Sequence, residues 1–215
     1  MFSLVATKQI SGSRYLRNIE ISNDGKFIAT TNGDSVEIYD VKSWRVVHTL
    51  NVAGVFQVSF SKSCVSTTSR DNFVRIYDLT DGEMLYQKQW KQVFKPWRLQ
   101  ELKEMEEEGE YIPEPPIYEM KCALLSPNSK ILFTQLKLPG KSVETRLHYF
   151  FEDLVNIIDT SQHVSFSHDS KKLLCGSDEE FFIKDLENKK YLHTQTDIKT
   201  TAVAFSPDDT KFLIG

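Results

Sequence analysis

Five segments of this chain repeat one plan, and that repetition constrains the fold more than any single motif. Ile19 to Leu50, Val58 to Gln89 and Val164 to Gln195 each open with a short alternating run ending in Ser. Each then turns through small or polar residues, runs apolar again, turns at an acidic residue and closes with an aromatic or Lys before Asp. Cys122 to Lys137 and Val203 to Gly215 are fainter copies. The anchoring serines are Ser22, Ser61, Ser126, Ser167 and Ser206, spaced by 39, 65, 41 and 39 residues. A second anchor, Asp40, Asp78 and Asp185, follows its Ser by 18, 17 and 18 residues, so the interior of each unit keeps register too. Several short strands in a unit of about forty residues are the signature of a β-propeller blade, whereas helical repeats of that length would show an apolar period near 3.6.

The expected architecture is therefore all-β: a β-propeller with blades over 13–52, 53–90, 118–159 and 160–197, and the start of a fifth over 198–215. In the first unit Asn23-Asp24-Gly25 and Asn32-Gly33-Asp34 supply turn chemistry, and Val36, Ile38 and Val41 alternate with Glu37 and Asp40. Residues 2–10 read as an isolated strand, the kind that closes a propeller by completing a blade begun at the other terminus. Four units and a fraction leave sheet edges with unpaired N–H and C=O groups, so a longer propeller is expected of which this chain is part.

Tyr39-Asp40, Tyr77-Asp78 and Lys184-Asp185 resemble the Trp-Asp pair that ends the third strand in WD-repeat propellers, and Asp34, Asp71 and Asp178 fall where that family keeps a turn Asp. The family's Gly-His pair is replaced by Asn18, Gln57 and Gln162, so the Asp-His network that the resemblance implies has no His partner. A closer resemblance, over residues 15–160, is to the propellers of the eukaryotic translation initiation factor 2A family. It rests on SNDGKFIATTNGDSVEIYD, VSFSKSCVSTTSRD, VRIYDLTDGE, a Trp-bearing linker and RLHYFFEDLVNII. That resemblance implies a noncatalytic scaffold that binds the small ribosomal subunit and initiation partners through protein and RNA contacts. The other reading is a general WD-repeat adaptor in trafficking, signalling or a ciliary complex.

The long spacing of 65 places an insertion over residues 91–117. Pro96 suits a helix start, Gly109 a stop, and Pro113, Pro115 and Pro116 an extended stalk, so a short acidic helix on a Pro-rich arm is expected. Glu104, Glu107, Glu108 and Tyr111 are the candidate protein-binding residues of this arm. Just before it, Lys88, Trp90, Lys91, Phe94, Lys95, Trp97 and Arg98 interleave cations with aromatics. That pattern suits single-stranded nucleic acid, since cations neutralise phosphate while rings stack on bases. Trp90, Val93, Phe94 and Trp97 also fall on one helical face, which favours packing onto the domain first, a protein contact second and RNA third.

Catalysis finds no support in the sequence. The five His form no HExxH or His-x-His arrangement, no phosphate loop or GxSxG motif occurs, and Cys64, Cys122 and Cys175 lack metal-ligand spacing. No enzyme activity, cofactor, metal or small-molecule substrate is expected. A net charge of -4 gives no global basic field for nucleic acid. The absence of a long apolar run and of a secretory signal, with an odd cysteine count, fits a cytoplasmic protein away from membranes.

Overall fold

The computed structural model describes residues 18–31, 34–89, 107, 119–137, 143–150, 154–158 and 163–215. Eighteen strands run through them in chain order. β1 (Asn18–Ile21), β2 (Phe27–Thr31), β3 (Val36–Asp40) and β4 (Val46–Leu50) pair in sequence as one antiparallel sheet. β5 (Val55–Phe60) to β8 (Met84–Gln89) form the second, with β6 (Cys64–Ser69) and β7 (Phe73–Asp78) between them. β9 (Glu119–Leu125), β10 (Ile131–Lys137), β11 (Val143–Tyr149) and β12 (Leu154–Ile158) form the third. β13 (His163–Phe166), β14 (Lys172–Gly176), β15 (Glu180–Asp185) and β16 (Lys190–Thr196) form the fourth, and β17 (Val203–Phe205) pairs with β18 (Phe212–Ile214) alone.

Each sheet is a meander whose first strand lies innermost. β5 packs against β1 and β2, β9 against β5 and β6, and β17 against β13 and β14. Strand alternation puts one apolar row of each blade onto the next. Ala29, Val36, Ile38 and Leu50 of blade 1 join Val55, Val58, Phe60 and Val65 of blade 2 in one core. Val74 and Ile76 of blade 2 meet Met120, Leu132 and Leu136 of blade 3, while Phe133 and Leu147 meet Leu173, Cys175 and Phe182 of blade 4. Leu174, Phe181 and Ile183 carry Val203, Phe205 and Ile214 of the two-stranded unit. The interior therefore consists of seams between blades, and each sheet buries its apolar row only because a neighbour lies against it. On the face of blade 1 turned away from blade 2, Ile19 and Ile21 stay more than half exposed.

The anchoring serines are explained by the turn that follows them. Ser22 Oγ donates to Asp24 at 2.8 Å and accepts the Phe27 N–H at 2.9 Å, while Asp24 accepts the Lys26 N–H. Ser126 with Asn128, Ser167 with Asp169, and Ser206 with Asp208 repeat that arrangement. Ser61 belongs to a shorter turn and bonds Cys64 in both directions. The second anchor caps the next turn: Asp40 accepts from Ser43, Asp78 from Thr80, and Asp185 from Glu187 and Asn188. Side-chain oxygens replacing backbone acceptors in tight turns is the usual work of Ser and Asp.

One expectation changes, one is not supported, and one lies outside the described residues. Of the insertion between blades 2 and 3 only Glu107 is described, exposed and with helical backbone; no helix is described as an element, and the rest of the expected acidic helix and arm lies outside the described residues, so the helix is not supported beyond that position. The terminal strand at 2–10 lies outside the described residues. The place of the missing His is held in the fourth blade by His163, not Gln162: His163 faces Gly176 as Asn18 faces Thr31 and Gln57 faces Thr68.

Candidate partner-binding surface

The turns after the anchoring serines meet on one end of the stacked blades and are tied to one another. Lys62 N donates to Pro127 O at 2.8 Å, and Ser129 Oγ to Ser61 Oγ at 2.7 Å, joining blades 2 and 3. Asn128 N donates to Ser170 Oγ at 3.0 Å, joining blades 3 and 4. The Asp209 carboxylate accepts the N–H groups of His168 at 2.8 Å and Asp169 at 2.9 Å, with the His168 ring Nδ1 at 3.0 Å, joining blade 4 to the last unit.

The stapling residues Ser129, Ser170 and Asp209 all stand three places after their anchoring Ser, and all have left-handed backbone, with φ of 61°, 62° and 55°. Blade 1 has Gly25 at this place, with φ 70° and nothing within 4 Å of where a Cβ would stand. Glycine is the unstrained choice for such a turn. A side chain occupies the position in the three blades where it reaches back to the preceding one. Burial alone would raise the Asp209 carboxyl, but the His168 and Asp169 N–H groups and the His168 ring hold it below its usual value. Asp24 is driven to about 2 by the Lys26 side chain and N–H and by Ser22.

Between these turns lies a groove of about 560 Å³, lined among others by Asp24, Lys26, Lys62, Asn128, His168 and Asp169. Asn128, Asp169 and Ser170 also line a second depression, of about 330 Å³, floored by Ile131, Tyr149 and Leu186 on the seam of blades 3 and 4. Together they make an open, polar surface with apolar footing, set on turns whose conformations are fixed by bonds from the neighbouring blade.

A second set of polar bonds crosses the seams along the innermost strands. Asn18 Oδ1 accepts the Val58 N–H at 3.4 Å, and Gln57 Oε1 accepts the Ala123 N–H at 3.0 Å. The residues standing where the WD pattern has Gly-His thus bond to the next blade. Of the three turn aspartates, Asp71 binds Ser69 Oγ at 2.5 Å and Arg75 Nη2 at 2.7 Å, so Arg75 serves where His would have served.

Of the residues singled out by sequence, Lys88 is exposed on β8. It pairs with Val74 and so lies on the face turned to blade 3. Trp90, Lys91, Phe94, Lys95, Trp97 and Arg98, and Glu104, Glu108 and Tyr111 of the arm, lie outside the described residues. Ser129, Ser170 and Asp209 were missed, and Gln57 was noted only as the place of an absent His, because a bond between blades leaves no local sequence pattern. Among the described residues no three His, Cys, Asp or Glu side chains gather as a metal site.

No family model matches the chain, and no curated protein matches it in sequence. Solved structures do. The β-propeller domain of Cps50 (Swd1) from Myceliophteria thermophila superposes with a TM-score of 0.68 at 13% identity, over 97% of this chain and 63% of that one. A chain of the mitotic checkpoint complex gives 0.62 at 16% identity, over 93% and 57%. The chain thus spans less than two thirds of either neighbour. These likenesses establish the β-propeller fold and do not bear on the initiation-factor resemblance.

Proposed function

We propose that this propeller is a noncatalytic scaffold whose stapled turns form a surface for protein partners. The observation that carries this is the set of left-handed, cross-bonded positions Ser129, Ser170 and Asp209, which hold the turns of blades 2 to 5 rigid beneath an open groove. Preorganised turns on a rigid frame lower the ordering cost of binding. Crosslinking of the intact protein with its partners in cell extract should concentrate on Lys26, Lys62, Lys130 and Lys171, and Lys62→Glu with Asp169→Lys should deplete those crosslinks without unfolding the blades. Partner crosslinks confined to the rim, or unaffected by the two substitutions, would overturn the assignment to this surface.

The narrower reading, attachment to the small ribosomal subunit, is supported by the sequence resemblance and by the basic run that begins at Lys88. Sedimentation with small subunits that is salt-sensitive, and lost when Lys91, Lys95 and Arg98 are replaced, would establish it. Background sedimentation at every salt concentration would leave the general adaptor role.

A further inference from the structure

Strands β4, β8, β12, β16 and β18 each stand at the end of their sheet. Such an edge carries unpaired N–H and C=O groups and accepts a further strand unless it is guarded. β4 is five residues long, ends in buried Leu50, and has its His48 ring against Leu79 O at 2.9 Å, so the β7–β8 turn lies over it. β8 carries Lys88 within it, β12 is five residues long and ends in buried Ile158, and β18 has three residues. β16 is seven residues long and exposed at every one. From Tyr191 to Thr196 it holds no Asp, Glu, Lys, Arg or Pro, and Tyr191 and Leu192 are 46% and 53% exposed. Its bulge at Leu192 belongs to the common blade plan, since blades 1 and 2 have one at the matching place, between Ile38 and Tyr39 and between Ile76 and Tyr77. Beyond the bulge, His193 to Thr196 keep regular register with Ile183 to Glu180.

The charges of β16 stand at its two ends. Lys190 and Asp197 are both exposed, and the ion pairs nearby join other residues, Lys171 with Glu187 and Lys199 with Asp178. That polarity makes the edge complementary to itself. Two antiparallel strands related by a two-fold axis set one residue opposite its own copy, and every other pair follows from that choice. With Thr194 on the axis, His193 faces Gln195, the bulge of Tyr191 and Leu192 faces Thr196, and Lys190 meets Asp197 of the second copy. Each of these contacts occurs twice. With Gln195 on the axis, Lys190 would meet Lys199; with His193 there, it would meet the uncharged Gln195. Of these registers, the one on Thr194 opposes unlike charges and no like ones, and such cross-strand pairs are what favour one register over another.

We propose that a second copy of this chain docks at β16, edge to edge about Thr194, so that two four-stranded fourth blades join as one sheet of eight strands. Pairing through one strand edge buries less than a standard interface, so the dimer forms with rising concentration and is not permanent. An extended strand of another protein would find the same backbone groups; the opposed charges at the two ends are what select a copy. The inference goes beyond the scaffold reading and does not rest on it. β16 lies on the rim, away from the stapled turns, so a chain that stays monomeric would leave the crosslinks expected at those turns unchanged.

The test is sedimentation equilibrium of the full chain over a wide range of concentration, in which the average mass should climb from that of a monomer towards that of a dimer. Lys190→Asp and Asp197→Lys, taken singly, each put two like-charge pairs into the interface and should weaken dimerisation about tenfold. The double exchange should restore it to within about twofold of wild type, a rescue that general damage to the blade would not give. Thr194→Lys sets two lysines together on the axis and should weaken it at least about tenfold. Should that variant fail to fold, the substitutions at the exposed ends still decide the matter, together with a crosslink. With Cys64, Cys122 and Cys175 replaced, Thr194→Cys should form a symmetric intermolecular disulfide under mild oxidation, while Lys42→Cys, exposed in the β3–β4 turn, should not. A chain monomeric at every concentration, or single charge variants that dimerise as wild type does, would overturn the proposal. So would a folded double exchange that fails to restore the dimer, or a disulfide formed as readily through Lys42→Cys.

Discussion

Removing the Asp209 carboxylate should loosen the last two strands from blade 4 while leaving the first three blades unchanged. Three contacts are lost in Asp209→Ala: the His168 and Asp169 N–H groups at 2.8 and 2.9 Å and the His168 ring at 3.0 Å. The ring is exposed, at 42% of its side chain, so its ionic share counts for little. The two N–H bonds to a charged group carry the effect, reduced because both donors can turn to water once released. A loss of about 2 kcal/mol follows, or roughly thirtyfold in the opening equilibrium. Asp209→Asn keeps an acceptor and should lose about half as much. Asp209→Gly removes the left-handed strain at φ 55° along with the bonds, so it should cost less than the alanine variant and still destabilise. Because stacked repeats open locally, the suitable assay is native-state hydrogen exchange, read at His168, Asp169 and β17–β18 with blade 1 as the internal reference. The depressed carboxyl adds a pH signature: its stabilisation is present above the ordinary Asp range and disappears as pH falls through the lowered value. Unchanged exchange in the alanine variant, or a gain in protection in the glycine variant, would refute the clasp.

Other consequences follow from the seams. Gln57→Leu strands the buried Ala123 N–H and should cost about 1–3 kcal/mol, seen as faster exchange at Ala123. Gly176→Ala would put its Cβ 2.3 Å from Thr200 Cγ2 and should destabilise by about 1–3 kcal/mol. Combining it with Thr200→Gly should give less than the sum of the two single losses, and strict additivity in denaturation would argue against the contact. Gly82→Ala meets both a φ of 78° and the His48 ring at 2.8 Å, so loosening of β4 against the β7–β8 turn is expected in exchange data. His148, buried and held near 4, stays neutral at pH 7; its contribution should decline as pH falls below about 6.5 towards that value, and His148→Gln should flatten this part of the stability profile.

The blade plan was legible because its markers act locally. Ser22, Ser126, Ser167 and Ser206 each bond within five residues, so the same hydroxyl at the same place recurs whatever the neighbouring blade contributes. Asp40, Asp78 and Asp185 mark turns for the same reason. The bonds between blades were not legible: Ser129 and Asp209 are ordinary turn residues in sequence, and their partners lie 68 and 41 residues away. The absence of His from the first two blades was legible, though not its presence as His163 in the fourth, and the work done by Arg75 and Gln57 depends on which strand lies alongside.

The central claim, that the units stack side by side with their innermost strands adjacent, is tested most directly by one crosslink. Ser61 and Ser129 lie 68 positions apart with hydroxyl oxygens 2.7 Å from each other. With Cys64, Cys122 and Cys175 replaced, Ser61→Cys and Ser129→Cys should form an intramolecular disulfide under mild oxidation in the folded protein and lose it in denaturant. Two thiols that stay fully titratable in the native state would contradict the stacking itself.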